Sequence, residues 1–506
     1  MSHTIRSSRE IALISVCDPT ERRGLEKVSK QGREKKGARD QKKNANLNAQ
    51  VHPKVPRMLP ARRCRTNGFD SDHYRYKPLS QRTIRLIVIH PSRGSDQPLS
   101  CHLNIVHFDS APSYEALSYR WDKQDGGVLW CCGKPLKIRL NLMNALNRLR
   151  LPDAQRLIWA DAVCINQSDR GEITDQMKIM GEIYNKATRV LVWLGEDTTD
   201  EAELALDRIR SISNGIPPPG NLSWWGPVEA FYSLDWFSRL WVFQEIAMAT
   251  SAEMLWGAAS ISWETVGLAS TSIRTLHCGK MARNPESGML HAYLFHKWSI
   301  NRNDSRRESF LYILQVTRKL NCEKPKDRIY ALLGFHTVDI DATDKDCFLQ
   351  PNTKCRTLSV YRKVARHALK RTQTLDVLSA VQHQSSVRRP TWVPRWNIST
   401  GYTLAPLGSK VQKFTASECL PAHSIKWKGR WGGVLRVSGI EFDIIVEVAD
   451  VIPGLERPGE QTAALVEVIA KMRSKTIPYP TGEPLEKVGC WTLTAGKDWY
   501  GMIDSG

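Results

Sequence analysis

The sequence predicts an α/β protein: a mostly parallel sheet flanked by helices, then a helical and a small β-rich C-terminal extension. Three observations predict it. Strand-like and helix-like periods alternate between about residues 156 and 256, the pattern of parallel strands joined by helical crossovers. The run VLVWLG (190–195) is continuously apolar, as a strand covered on both faces must be. Polar residues gather where such runs end, the place at which open α/β sheets bind ligands.

The elements follow in order. Residues 1–66 hold 17 Lys/Arg against 6 Asp/Glu and few large apolar side chains, so this leader carries 11 of the chain's +20 formal charges. Such a segment cannot bury enough surface to offset chain entropy and is expected to be disordered. It reads either as a solvated tail or as a nucleic-acid-binding or nuclear-targeting arm. Order is expected from RTIRLIVIH through HLNIVHF to YEALSYRWD, a β lead-in rich in Ile and Val. Asn141 is the expected cap of a helix with Leu142, Ala145, Leu146 and Leu149 on one face, and RLIWADAV (156–163) reads as a strand. A helix then aligns Ile173, Met177, Met180, Tyr184 and Ala187, the strand VLVWLG follows, and the helix DEAELALDRIRSI ends at the proline-rich NGIPPPGN. Asp235 is the expected cap of a helix WFSRLWVFQEIAMA, with strands AEMLWG and ISW after it. These elements make up a domain over 80–275. Helices are expected over 276–400, including TLSVYRKVARHALKRT with Arg362, Lys363, Arg366 and Lys370 on a solvated face, and short strands over 401–506.

Composition and absent motifs weaken several classes without excluding them. The 12 cysteines form no CxxC pair and no Cys/His cluster with zinc spacing, which predicts reduced thiols in a cytoplasmic protein without a metal centre. No apolar run approaches the ~18–20 residues of a membrane span. The motifs GxxxxGK[ST], HExxH, GxSxG and GxGxxG are absent.

Three strand-end segments then carry the candidate chemistry. Ser118, Tyr119 and Arg120 close the first. Asp161 lies inside the second, RLIWADAVCINQSD, with Cys164, Asn166 and Gln167 after it. Strand alternation puts Asp161 with Leu157, Trp159 and Val163 on a buried face, where it acts as a structural acceptor or orients a ligand. Cys164 reads as a packed thiol, since no neighbouring His supplies a base. Asn166 and Gln167 read as loop-shaping residues or as ribose and base contacts. In the third segment Trp241 and Glu245 are four apart on a helix, hence on one face, and a carboxyl beside an indole loses hydration, which raises its pKa.

YEALSYRWD, RLIWADAVCINQSD with QMKIMGEIYNKATRVLVWLG, and WFSRLWVFQEIAMA resemble the three signature blocks of the fungal heterokaryon-incompatibility (HET) domain family. KPKDRIYALLGF and RPTWVPRWN resemble blocks that follow in many of its members. Arg120 and Asp122 stand where the first block commonly has Val and Gly, and the C-terminus is short for the family. The resemblance implies self/non-self recognition between hyphae with programmed cell death, an unidentified protein partner, self-association, and a distantly TIR-like, flavodoxin-like sheet. In TIR proteins that cleave NAD the catalytic glutamate follows a Trp by four residues, and Trp241 to Glu245 is similar. This resemblance implies Glu245 as catalytic residue, Ser118, Tyr119, Arg120, Asp161, Asn166, Gln167 and Trp241 around the substrate, NAD as substrate, and no bound cofactor. The competing class is a non-enzymatic module that signals by assembly.

Overall fold

A computed structural model of the chain describes residues 73–398 apart from 95–96, 217, 220–222, 276–287, 301–307, 340–347 and 382–389, together with 426–428 and 434–436. The basic leader and most of the expected β-rich C-terminal element lie outside the described residues. Of the latter, Lys426–Lys428 and Val434–Arg436 pair as an antiparallel ribbon.

Nine strands form one mixed sheet: β1 (Thr83–Ile89), β2 (Ser100–His107), β3 (Glu115–Tyr119), β4 (Asp125–Cys131), β5 (Lys134–Arg139), β6 (Arg156–Trp159), β7 (Val190–Gly195), β8 (Ala252–Trp256) and β9 (Ala259–Ser262). Their order is β5-β4-β2-β1-β6-β3-β7-β8-β9. The centre, β6-β3-β7-β8, is parallel throughout. Antiparallel pairings attach β1 to β6, β2 to β1, β5 to β4 and β9 to β8, while β2 and β4 pair in parallel, so the expected parallel centre is present and its flanks make the sheet mixed. The hairpin β4–β5 had no counterpart in the sequence reading. Its two-residue turn, Cys132-Gly133, has positive φ at both positions, and without Asn-Gly or Asp-Gly the usual hairpin signal is missing.

Helices cover the sheet: α1 (Leu140–Leu149), the single turn α2 (Asp161–Cys164), α3 (Arg170–Lys186), α4 (Ala202–Ser213), α5 (Gly226–Tyr232), α6 (Leu240–Ala247) and α7 (Trp263–Thr275). Beyond them come α8 (Gly288–Ile300), α9 (Phe310–Val316), α10 (Asp327–Tyr330) and α11 (Thr357–Thr372). The Asp169 carboxylate caps α3 through the amides of Gly171 and Glu172. The apolar faces of α1, α3 and α4 meet the sheet in one core with Trp159, Tyr184, Trp193 and Phe231 buried in it.

Three local expectations are corrected. RLIWADAV is a strand only to Trp159; the Ala160 carbonyl accepts from the amides of Val163 and Cys164, and the chain turns into α2. Asp161 therefore does not share a strand face with Val163. Asn141 lies inside α1, where its amide meets the Asp122 carboxylate at 3.3 Å. Asp235 caps nothing: WFSRLWVFQEIAMA splits into a 3-10 turn (Asp235–Ser238) and α6, because Arg239 is extended and its neighbours bond Asn321. Among the described residues no helix is long and apolar enough to cross a membrane.

Candidate functional site

The parallel strands β6, β3, β7 and β8 come second, first, third and fourth in chain order, so the winding reverses at β3. Crevices at carboxyl ends of strands beside such a reversal are where open α/β sheets take ligands. Here β3 ends at Ser118 and Tyr119, and β6 runs into α2, whose first residue is Asp161. The helix α6 crosses behind them and brings Glu245.

Glu245 is 3% exposed, and its Oε2 has no hydrogen-bond partner. Burial raises its pKa to about 7; the Arg239 charge opposes that rise, the Asp161 charge adds to it, and the hydroxyls of Ser118 and Tyr184 facing the carboxyl oppose it. Ser118 is fully buried and accepts from the Trp236 indole at 2.8 Å, which leaves its own proton to direct at Glu245. Tyr184, on α3, donates to the Leu117 carbonyl at 3.2 Å. The Arg239 guanidinium is anchored on the Tyr119 carbonyl.

Asp161 is half-buried. Its Oδ1 accepts from the Ala162 amide at 2.7 Å and from the exposed Trp121 indole at 3.1 Å. Burial raises its pKa, while Arg239 and hydrogen bonds from Trp121, Ala162 and Tyr119 oppose the rise. Burial and the adjacent Asp161 hold the Tyr119 phenol well above its ordinary range. Two carboxyl groups thus lie within the field of one guanidinium, beside two phenols and a serine. A carboxyl that changes charge near neutrality beside a second acid is suited to general acid–base work or to stabilising a developing cation.

The other sequence candidates lie elsewhere. Arg120 is exposed and pairs with Asp235 at 2.5 Å. Asn166 shapes the loop after α2: its amide meets Glu172 at 2.6 Å and its Oδ1 accepts from the Ser168 amide at 3.2 Å. The Gln167 side chain donates to the Asp161 carbonyl at 2.9 Å, so it supports Asp161 from the backbone side. Trp241 turns its indole N–H to Asp327 at 3.2 Å. Cys164 is fully buried, and burial pushes its thiol up to about 12.

Sequence reasoning missed Arg239, Trp121, Trp236 and the polar role of Tyr184. All four lie in the quoted blocks. The available signal was the arginine six residues before Glu245, masked by the expectation of one continuous helix.

A buried ion pair fixes the loop that carries Asp161. Arg85, on β1, pairs with Glu172 of α3 (Nη1 to Oε1 2.5 Å, Nη2 to Oε2 3.0 Å) and also bonds the carbonyls of Cys164 and Lys77. The Arg85 and Glu172 side chains are 1% and 7% exposed.

Residues 114–245 match the family model described as Heterokaryon incompatibility protein (HET). The chain is similar to Heterokaryon incompatibility protein 6, OR allele, of Neurospora crassa, with 25% identity over 62% of this chain and 58% of that protein. It is also similar to Vegetative incompatibility protein HET-E-1 of Podospora anserina, with 26% identity over 40% of this chain and 14% of that protein. No solved structure matches the chain.

Proposed function

We propose that this fungal HET-domain protein acts in heterokaryon incompatibility, as part of a self/non-self response that ends in cell death, and that the response is executed by NAD cleavage at Glu245. The matched segment ends on Glu245 itself, and the names of its relatives support the biological setting. The observation that carries the chemical reading is the buried Glu245 carboxyl, raised to about 7 beside Asp161 and Arg239. The winding order of the parallel strands supports a flavodoxin-like, TIR-like ancestry for the sheet.

In this reading the ionised Glu245 faces the ribose hydroxyls as the bond from the anomeric carbon to nicotinamide breaks. It stabilises the oxocarbenium-like state. Nicotinamide leaves as a neutral molecule with the bonding pair, water adds to the anomeric carbon, and its proton passes to solvent. Asp161 holds the strand-end loop in register, and Arg239 keeps the two acids from repelling each other. The substrate enters where Trp121, 38% exposed, swings away from Asp161.

The purified full chain incubated with NAD is expected to release nicotinamide, and Glu245→Gln to release none. Equal release from both, or none from the assembled wild type, removes the enzymatic reading. The 3% exposure of Glu245 favours a second reading, a non-enzymatic module that signals by self-association. It predicts that fungal cells expressing Glu245→Gln die as readily as those expressing the wild type.

A further inference from the structure

Outside the Glu245 cluster, positive charge is concentrated where α9 ends. Arg318 follows α9 and is only 3% exposed. Its Nε, Nη1 and Nη2 donate to the carbonyls of Ile398 (3.1 Å), Ala380 (2.9 Å) and Arg395 (3.1 Å). Arg328, on α10, donates through Nη1 to the carbonyl of Thr317, the residue before Arg318, at 3.1 Å. Its Nε is buried without a hydrogen-bond partner. Neither Arg318 nor Arg328 has a carboxylate within ion-pair distance among the described residues. Asp327, next in sequence to Arg328, is instead engaged with Trp241. Tyr361 of α11 packs edge-on against Trp396 with ring centroids 5.3 Å apart, and Arg318, Arg328 and Arg395 all act on its phenol.

Carbonyl dipoles and the negative end of α9 supply partial charges only. A buried cation is expensive unless a full countercharge meets it. A guanidinium has five N–H donors, so Arg318 keeps two beyond its three carbonyls. Arg328 is half-exposed, which gives the cluster a path to solvent. We propose that Arg318 and Arg328 form a binding site for a phosphate-class oxyanion. The planar forks of two arginines suit its geometry. Burial, reinforced by the charge of Arg328, brings Arg318 down to about 10, the direction expected of a desolvated cation beside a second one. The site joins KPKDRIYALLGF and RPTWVPRWN, two sequence blocks that the Glu245 chemistry leaves unused, and it stands independently of NAD cleavage.

The test is isothermal titration of the full chain at constant ionic strength with inorganic phosphate and, separately, ATP. The wild type is expected to bind saturably. Arg328→Gln should weaken binding by about ten- to a hundred-fold, the loss of one charge-assisted contact. Arg328→Lys, which keeps the charge and loses the fork, should lose less. Lys363→Gln, on the exposed face of α11, should match the wild type, since the basic leader contributes the same background to every variant. Tighter binding of ATP assigns the anion to the phosphate tail of a larger ligand; equal binding assigns free phosphate. No saturable binding by the wild type, or the same loss in Lys363→Gln as in Arg328→Gln, overturns the proposal.

Discussion

Replacing Glu245 by glutamine should stabilise the protein in alkaline buffer and leave it unchanged in acid. Burial raises this carboxyl from an ordinary 4.5 to about 7, so the folded state holds a proton that the unfolded chain has already released. Between those values the native state binds more protons than the unfolded one, and stability falls as pH rises. At about 1.4 kcal/mol per tenfold change, the full gap corresponds to about 3 kcal/mol. It is absent below pH ~4.5 and complete above pH ~7. Glutamine carries no charge to desolvate, so its advantage should grow across that window. Urea unfolding of the two proteins at pH 4.5, 6, 7 and 8.5 would read this as a midpoint difference approaching about 1 M at the alkaline end. The Asp161 charge acts on Glu245, so the measured window belongs to the pair. A difference that does not change with pH, or a wild type that outlasts the variant at pH 8.5, refutes the reasoning.

Further outcomes follow from the packing. Glu172→Gln leaves Arg85 buried without its counterion and should cost about 3–5 kcal/mol, while the double change to methionine at Arg85 and Glu172 should recover most of it; thermal melts decide. Trp236→Phe removes an indole donor to Ser118 and should cost about 1–2 kcal/mol in urea unfolding. At Gly334 an added Cβ would sit 2.1 Å from Gln244 Nε2, and Gln244 has little room to retreat because it is 2% exposed and lies so near Gly181 that a Cβ added there would meet the same nitrogen at 3.2 Å. Gly334→Ala should therefore lower stability by about 1–3 kcal/mol, and a melting temperature equal to wild type would contradict this. Deleting residues 1–66 should abolish any salt-sensitive binding of nucleic acid in a gel-shift assay, if the leader is a binding arm.

The layered plan was legible wherever a period extended over several turns. The stripe from Ile173 to Ala187 and the run VLVWLG emerge as α3 and β7, because a long amphipathic or continuously apolar segment has few ways to bury itself. Short-range choices were not legible. Ala160 ends β6 because its carbonyl is taken by two amides three and four residues on, a contest between helix and strand hydrogen bonds that RLIWADAV itself does not reveal. Arg239 breaks a helix because Asn321, some eighty residues later, supplies the alternative partner. The candidate site divides the same way. Ser118 and Tyr119 are expected at a strand end, Asp161 inside a buried strand and Glu245 on a helix four residues after Trp241, and the structure brings them near one another. Arg239 and Tyr184 join them through tertiary contacts that no local pattern encodes.

The outer side of α6 is held by residues far beyond the matched segment. The Leu240 amide bonds Asn321 at 2.9 Å, Trp241 bonds Asp327, Phe243 stacks on Phe335 at 4.7 Å, and Gln244 threads between Gly181 and Gly334. The stretch that matches the family model therefore stops at Glu245, but the scaffold that holds this acid continues for another ninety residues. Variation at Asn321, Asp327 or Phe335 can retune or silence the acid without touching Glu245, Asp161 or Arg239, and a gene fragment cut at the end of α7 would carry the signature while losing what steadies it.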